Sequence, residues 1–238
     1  MKEEGSYRIQ NFAANVDNEI RRLKAQVELF WDREFRCLQK FGLRDGMRVL
    51  ECGCGPGHVI EKLLQSLPGS EVTGVEIDPL LVQKSRENLA VLGGRRGQIL
   101  EQSIMQMEFE HKSFDFVIAR MVLEHLPNPL NAVKEVYRVL KKAGKGVFID
   151  NDFDSSWAPY SQELYPYESF SNDQKNNGID RMLVRGLDSM KQKIVRSLHI
   201  LAAKSSLVVI CFSHLRPNML RDDTYPCMYA DWSIILAK

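Results

Sequence analysis

The stretch Met47-Arg48-Val49-Leu50-Glu51-Cys52-Gly53-Cys54-Gly55-Pro56-Gly57-His58-Val59-Ile60 decides the fold. An apolar, β-rich run meets an acid at Glu51, three glycines follow at alternate positions, and a helical pattern begins at His58. That order reads as strand, tight loop, helix. Alternate glycines allow positive φ and let a ligand come close to the backbone. Such a loop is either a plain turn or a nucleotide site, and the rest of the chain must decide between them.

Outward from the loop, strands and helices alternate. A strand is expected over 47–52 and a helix over 58–67, stopped by Pro68-Gly69. A second strand over 71–77 ends at Asp78-Pro79, an N-cap and first-turn pair opening a helix that runs to Gly93-Gly94. Strands over 98–101 and 114–119, a helix over 131–142 and a strand over 146–150 continue the rhythm. Two further strands, over 206–212 and 232–237, lie close enough to pair antiparallel. The pattern predicts an α/β fold, a doubly wound, seven-stranded and mostly parallel sheet.

Ahead of the loop, Ile20, Leu23, Val27, Phe30, Trp31 and Leu38 recur at helical steps, giving one long helix with a single apolar stripe. Phe41-Gly42 is expected to end it. Residues 1–44 thus read as an N-terminal helical cap and residues 45–238 as the main domain. Residues 151–177 break the rhythm with Trp157, Tyr160, Tyr165, Tyr167 and Phe170, as an aromatic-rich insertion or lid would. A helical pattern follows over 183–201.

An apolar fraction of 44%, a charged fraction of 26% and a net charge of +1 describe an ordinary globular protein. No global field would draw it to nucleic acid or an anionic membrane, and no stretch is apolar enough to span a bilayer. Five cysteines, an odd number at no regular spacing, suit free thiols in a reducing compartment. With no apolar leader at residues 1–5, a cytoplasmic location is expected. Cys52 and Cys54 have no second Cys or His pair to complete a metal site, so no metal is expected.

Two ligand classes use a glycine loop after the first strand of such a sheet. A dinucleotide loop has GxGxxG, and its third glycine falls here on His58. Glu51 would also face a pyrophosphate with like charge, whereas it suits a ligand carrying an ammonium. On these residues the run 49–57 resembles the first signature of class I S-adenosylmethionine-dependent methyltransferases. Gly74-Val75-Glu76-Ile77-Asp78, Ser113-Phe114-Asp115-Phe116-Val117, Leu123-Glu124-His125-Leu126 and Tyr137-Arg138-Val139-Leu140-Lys141-Lys142 are similar to the family's later segments, in the same order.

The resemblance implies that Gly53, Gly55 and Gly57 lie against the amino-acid part of S-adenosyl-L-methionine, with Glu51 near its ammonium. Glu76 would accept from both ribose hydroxyls, and Ile77 would pack on the adenine. Where the family often has an Asp for the adenine amino group, this chain has Gln102-Ser103-Ile104, so a side-chain acceptor or a backbone N–H would serve. Arg120 lies where the family's chain passes under the cofactor. Gln26 and Trp31 of the N-terminal helix would close over the site, with core packing the other reading of Trp31.

The sulfonium methyl is already electrophilic, so alignment of an acceptor and exclusion of water are most of the task. A hydroxyl acceptor needs a base; His125 is the first candidate and Asp150 the next. The expected function is methyl transfer to a small-molecule acceptor, with oxygen favoured over nitrogen or carbon. The alternative class is a regulatory protein that binds the cofactor without turnover.

Overall fold

The computed structural model describes residues 9–12, 15–91, 96–151, 208–213 and 231–237. It divides into two compact units, residues 1–148 with 235–238 and residues 149–234. In the first unit a short helix α1 (Ile9–Phe12) precedes the long helix α2 (Val16–Lys40). Asn15 caps α2, its Oδ1 accepting from the Asn18 N–H at 3.1 Å. Val27, Trp31 and Leu38 of the expected stripe are buried, while Arg21, Arg22, Lys24, Glu28 and Asp32 face solvent. Trp31 stacks on Phe35 with centroids 5.1 Å apart, which supports the packing reading of that ring. The helix ends as a Schellman motif: Leu43 N–H donates to the Leu38 carbonyl and Gly42 N–H to that of Gln39, both at 2.9 Å.

The strand-loop-helix reading is realised as β1 (Arg48–Cys52) and α3 (His58–Ser66). β2 (Glu71–Glu76), α4 (Pro79–Val91), β3 (Gly97–Glu101) and β4 (Phe114–Arg120) follow. A 3-10 turn at Leu123–His125, α5 (Pro129–Val139) and β5 (Leu140–Asn151) complete the run. The sheet order is β3-β2-β1-β4-β5 across these strands. Both β2 and β4 pair parallel to β1, with Glu51 opposite Gly74 on one side and Ile118 on the other. This is the Rossmann-like arrangement expected, with strand ends converging where the order reverses at β1. Two more strands, β6 (Val208–Ser213) and β7 (Asp231–Ala237), fall near the positions read from the sequence. The insertion expected over 151–177 and the helical pattern over 183–201 lie outside the described residues.

One boundary differs. The helix expected to reach residue 142 stops at Val139, and β5 begins six residues early, at Leu140. Tertiary bonds override the helical propensity of Lys141-Lys142 there. Ser113 N–H takes the Val139 carbonyl at 2.7 Å, and Lys141 Nζ reaches both oxygens of Asp115 at 2.9 Å.

The apolar face of α3 makes much of the contact with the sheet: Val59, Ile60, Leu63 and Leu64 are buried. Its C-terminal carbonyls are gathered by Arg96, whose guanidinium donates to Leu64, Leu67 and Ser70 at 2.9–3.3 Å. Truncating the fully buried Leu63 to Ala leaves a cavity under α3. Denaturant titration is expected to show a loss of about 2–5 kcal/mol.

Candidate active site

The site is assembled at the C-terminal ends of β1, β2 and β4. After Cys52 the chain folds back onto β2: the N–H groups of Gly53 and Cys54 both donate to the Val75 carbonyl, at 2.8 and 3.0 Å. The loop is then fastened from the side by Glu76. Its Oε2 accepts from the Gly55 N–H at 2.9 Å, and its Oε1 from the N–H groups of Ile77 and Asp78 at 2.8 and 3.0 Å. Burial raises the Glu76 pKa, while these three donors pull against that rise. A carboxylate offers about four lone-pair directions, so one, on Oε2, is left for a ligand. The two ribose hydroxyls expected at Glu76 therefore meet a carboxylate already engaged on three sides.

Asp78 takes the capping role that the sequence suggested. Its Oδ1 accepts from Leu80 N–H at 2.9 Å at the start of α4. Its Oδ2 also accepts from the buried Ile9 N–H at 3.2 Å, which pins α1 beside the end of β2.

Glu51 is the most unusual group. It is buried, and its Oε2 has no hydrogen-bond partner. Burial pushes its pKa well above the usual carboxylate range. Arg120 pulls it down, and the neighbouring Glu76 and Glu34 add to the rise. Beside it, Gly55 has φ +52° and open space where a Cβ would stand. A buried, unsatisfied acceptor next to an open glycine backbone is the chemistry an ammonium-bearing ligand needs. The residues present therefore fit S-adenosylmethionine: Glu51 would hold the ammonium, and the glycine loop would lie along the amino-acid chain. Gly57 differs from Gly55: its φ is +83°, and a Cβ there would strike Ser85 Oγ of α4.

His58, at the position of the missing third glycine, is buried. Burial lowers its pKa, against the pull of Glu61 on its own helix and of the Ile20 backbone on α2. Its role is packing at the start of α3.

The remaining sequence-predicted residues are placed as follows. Gln102 Oε1 accepts from Glu108 N–H at 3.0 Å, and Ser103 Oγ from Met105 N–H at 3.3 Å. Ile104 is buried. The polar side chains of this trio thus close their own turn, and Ile77 stands half-buried at the end of β2. Gln26 is half-buried on α2. His125 ends the 3-10 turn that follows Val122, the residue a Cβ on Gly53 would strike, and burial lowers its pKa. Asp150 lies in β5, and its side chain is outside the described residues.

Arg120, the last residue of β4, is held by a residue that sequence reasoning missed. Its Nε donates to both oxygens of Glu34 on α2, at 3.0 and 2.9 Å. The missed signal was positional: Glu34 lies three residues after Trp31 and four before Leu38, a charge set into the apolar stripe.

Residues 50–148 match the family described as "Methyltransferase domain". The match covers the same stretch in which the sequence resembles class I S-adenosylmethionine-dependent methyltransferases. The domain is similar to sterol 4-C-methyltransferase of Caenorhabditis elegans, with 31% identity over 135 residues, 55% of this chain and 40% of that protein. It is also similar to demethylmenaquinone methyltransferase of Staphylococcus aureus, with 27% identity over 164 residues, 66% of either chain. The chain thus spans less than two thirds of the length of these curated relatives. Among solved structures, a SAM-dependent methyltransferase from Aquifex aeolicus superposes with a TM-score of 0.58 at 19% identity, covering 92% of this chain and 97% of that one. The chain shares its fold.

Two predictions follow from the loop and its acid. Gly55→Ala is expected to cost about 1–2 kcal/mol of left-handed strain and to weaken cofactor binding. Gly57→Ala adds the clash with Ser85, and thermal melts should rank it as the less stable of the two. For Glu51, a raised folded pKa means that stability is lost as pH rises through that pKa. Glu51→Gln is therefore expected to raise the melting temperature of the cofactor-free protein at neutral pH by a few degrees. It should also weaken S-adenosylhomocysteine in calorimetry and remove the loss of affinity that the parent shows as pH falls.

Proposed function

We infer that the protein transfers a methyl group from S-adenosyl-L-methionine to a small-molecule acceptor. The observation that carries this reading is the buried, partnerless Glu51 oxygen beside the open Gly55 backbone, within a domain that matches the methyltransferase family. The cofactor supplies an electrophilic methyl on a sulfonium, open to in-line displacement by the acceptor. Glu51 holds the ammonium, the glycine loop carries the amino-acid chain, and the free lone pair of Glu76 takes one ribose hydroxyl. The adenine rests near Ile77, with the backbone around residues 102–104 as its polar partner, because Gln102 and Ser103 are engaged locally.

His125 is the proposed base. Burial holds its imidazole below the ordinary histidine range, so it is neutral at pH 7 and able to accept a proton. Asp150 is the second candidate. Val122 and Leu126 flank this turn and offer an apolar wall to the acceptor. Two relatives named for a sterol and for demethylmenaquinone favour a largely apolar ring acceptor, and the sterol enzyme is named for methylation at carbon. The hydroxyl acceptor expected from the sequence stands as the second reading, supported by the histidine base. Residues 1–44 serve as the cap and residues 45–238 as the catalytic domain. No described helix is long and apolar enough to cross a membrane, and the proposed setting is the cytoplasm, without nucleic-acid partners.

The test is incubation with methyl-labelled cofactor and a panel of sterols, quinones and hydroxylated aromatics, followed by mass spectrometry. A labelled product at ring carbon or oxygen supports the reading. Tight binding of S-adenosylhomocysteine with no labelled product from any extract would favour the regulatory alternative. His125→Gln is expected to lower turnover about a hundredfold with cofactor affinity unchanged.

A further inference from the structure

The ion pair between α2 and β4 is nearly closed to water: the Arg120 and Glu34 side chains are 8% and 11% exposed. Both Glu34 oxygens are spent on Arg120 Nε, yet Arg120 Nη2 is buried with no partner. An orphaned guanidinium nitrogen is costly, and at this depth it calls for a hydrogen-bond acceptor. On the adjacent strand Glu51 stands opposite Ile118, two residues before Arg120, and its own Oε2 is buried and orphaned. A partnerless donor and a partnerless acceptor thus lie at neighbouring strand ends, close enough that Arg120 draws down the Glu51 pKa. Directly after Arg120, Met121 takes a left-handed φ of +55°.

An α-amino acid end supplies one anion and one cation at the spacing of a single carbon. We propose that Glu34 is a positioning residue for cofactor recognition: from α2 it fixes the Arg120 guanidinium so that Nη2 takes the cofactor's carboxylate while Glu51 takes its ammonium. The proposal rests on the function inferred above. Glu34 also keeps Arg120 from collapsing onto Glu51, because its carboxylate competes for the same guanidinium. Without it, Arg120 pairs with Glu51 and both ends of the amino-acid subsite are lost together. Helix α2 lies outside the matched residues 50–148, so this places the N-terminal segment inside the cofactor site rather than merely over it.

The test compares two nucleosides on the full chain by calorimetry. S-adenosylhomocysteine carries the amino-acid end; 5′-methylthioadenosine keeps the adenosine and thioether and lacks it. Glu34→Gln is expected to weaken S-adenosylhomocysteine about tenfold or more and to leave 5′-methylthioadenosine unchanged. Arg120→Gln should show the same selective loss, and combining the two should add nothing further, as coupled residues do. Equal weakening of both nucleosides by Glu34→Gln would mean a structural role and overturn the proposal, as would unchanged S-adenosylhomocysteine affinity. Should Glu34→Gln not fold, the selectivity of Arg120→Gln alone decides. If the parent binds 5′-methylthioadenosine but not S-adenosylhomocysteine, the amino-acid subsite is refuted while a nucleoside site survives. If it binds neither, the function itself is refuted, and the proposal with it.

Discussion

A buried carboxylate can stay ionised in a protein interior only if fixed donors replace its water. Glu76 is in that position, and the donors it recruits are backbone N–H groups from both sides of a strand end. By taking Gly55 N–H it holds the loop after β1 against β2. By taking Ile77 and Asp78 N–H it sets the turn into α4. That turn in turn aims Asp78, which caps α4 and catches Ile9 of α1. Loop shape, helix start and N-terminal anchor all descend from one carboxylate.

The charges around it are arranged as a deficit of positive charge. Glu51 feels one guanidinium, that of Arg120, against two carboxylates, Glu34 and Glu76, and the guanidinium is paired with Glu34. Buried carboxylates of this number repel one another and raise one another's pKa. The cofactor-free protein is thus electrostatically strained at β1, and a cation bound there relieves the strain. A ligand cation held at Glu51 would draw affinity from a penalty already built into the fold.

The parallel core was legible because its signals are local and redundant. Glycines at alternate positions, the acids Glu51 and Glu76 at the ends of β1 and β2, and Asp-Pro at a helix start each fix a boundary to within a residue or two. The start of β5 was not legible, because the groups that end α5 early, Ser113 and Asp115, are a strand away in sequence. At the site, Glu51 and the glycines were found by their place after β1. The self-satisfied turn at Gln102 and Ser103 was hidden, since either side chain could equally have faced a ligand. Glu34 was visible as a charge on an apolar stripe, but its partner lies 86 positions away, and periodicity carries no information about partners.

That separation bears on the order in which the domain comes together. Contacts between α2 and α3 join residues close in sequence, and such contacts form early because little chain must be ordered to make them. The Glu34–Arg120 pair spans most of the domain and can close only after β4 has docked beside β1. Bonds made so late contribute little to the folding transition state and mainly slow its reversal. The same ion pair that shapes a subsite would therefore act as a latch on unfolding, governing how long the assembled domain persists rather than how fast it forms.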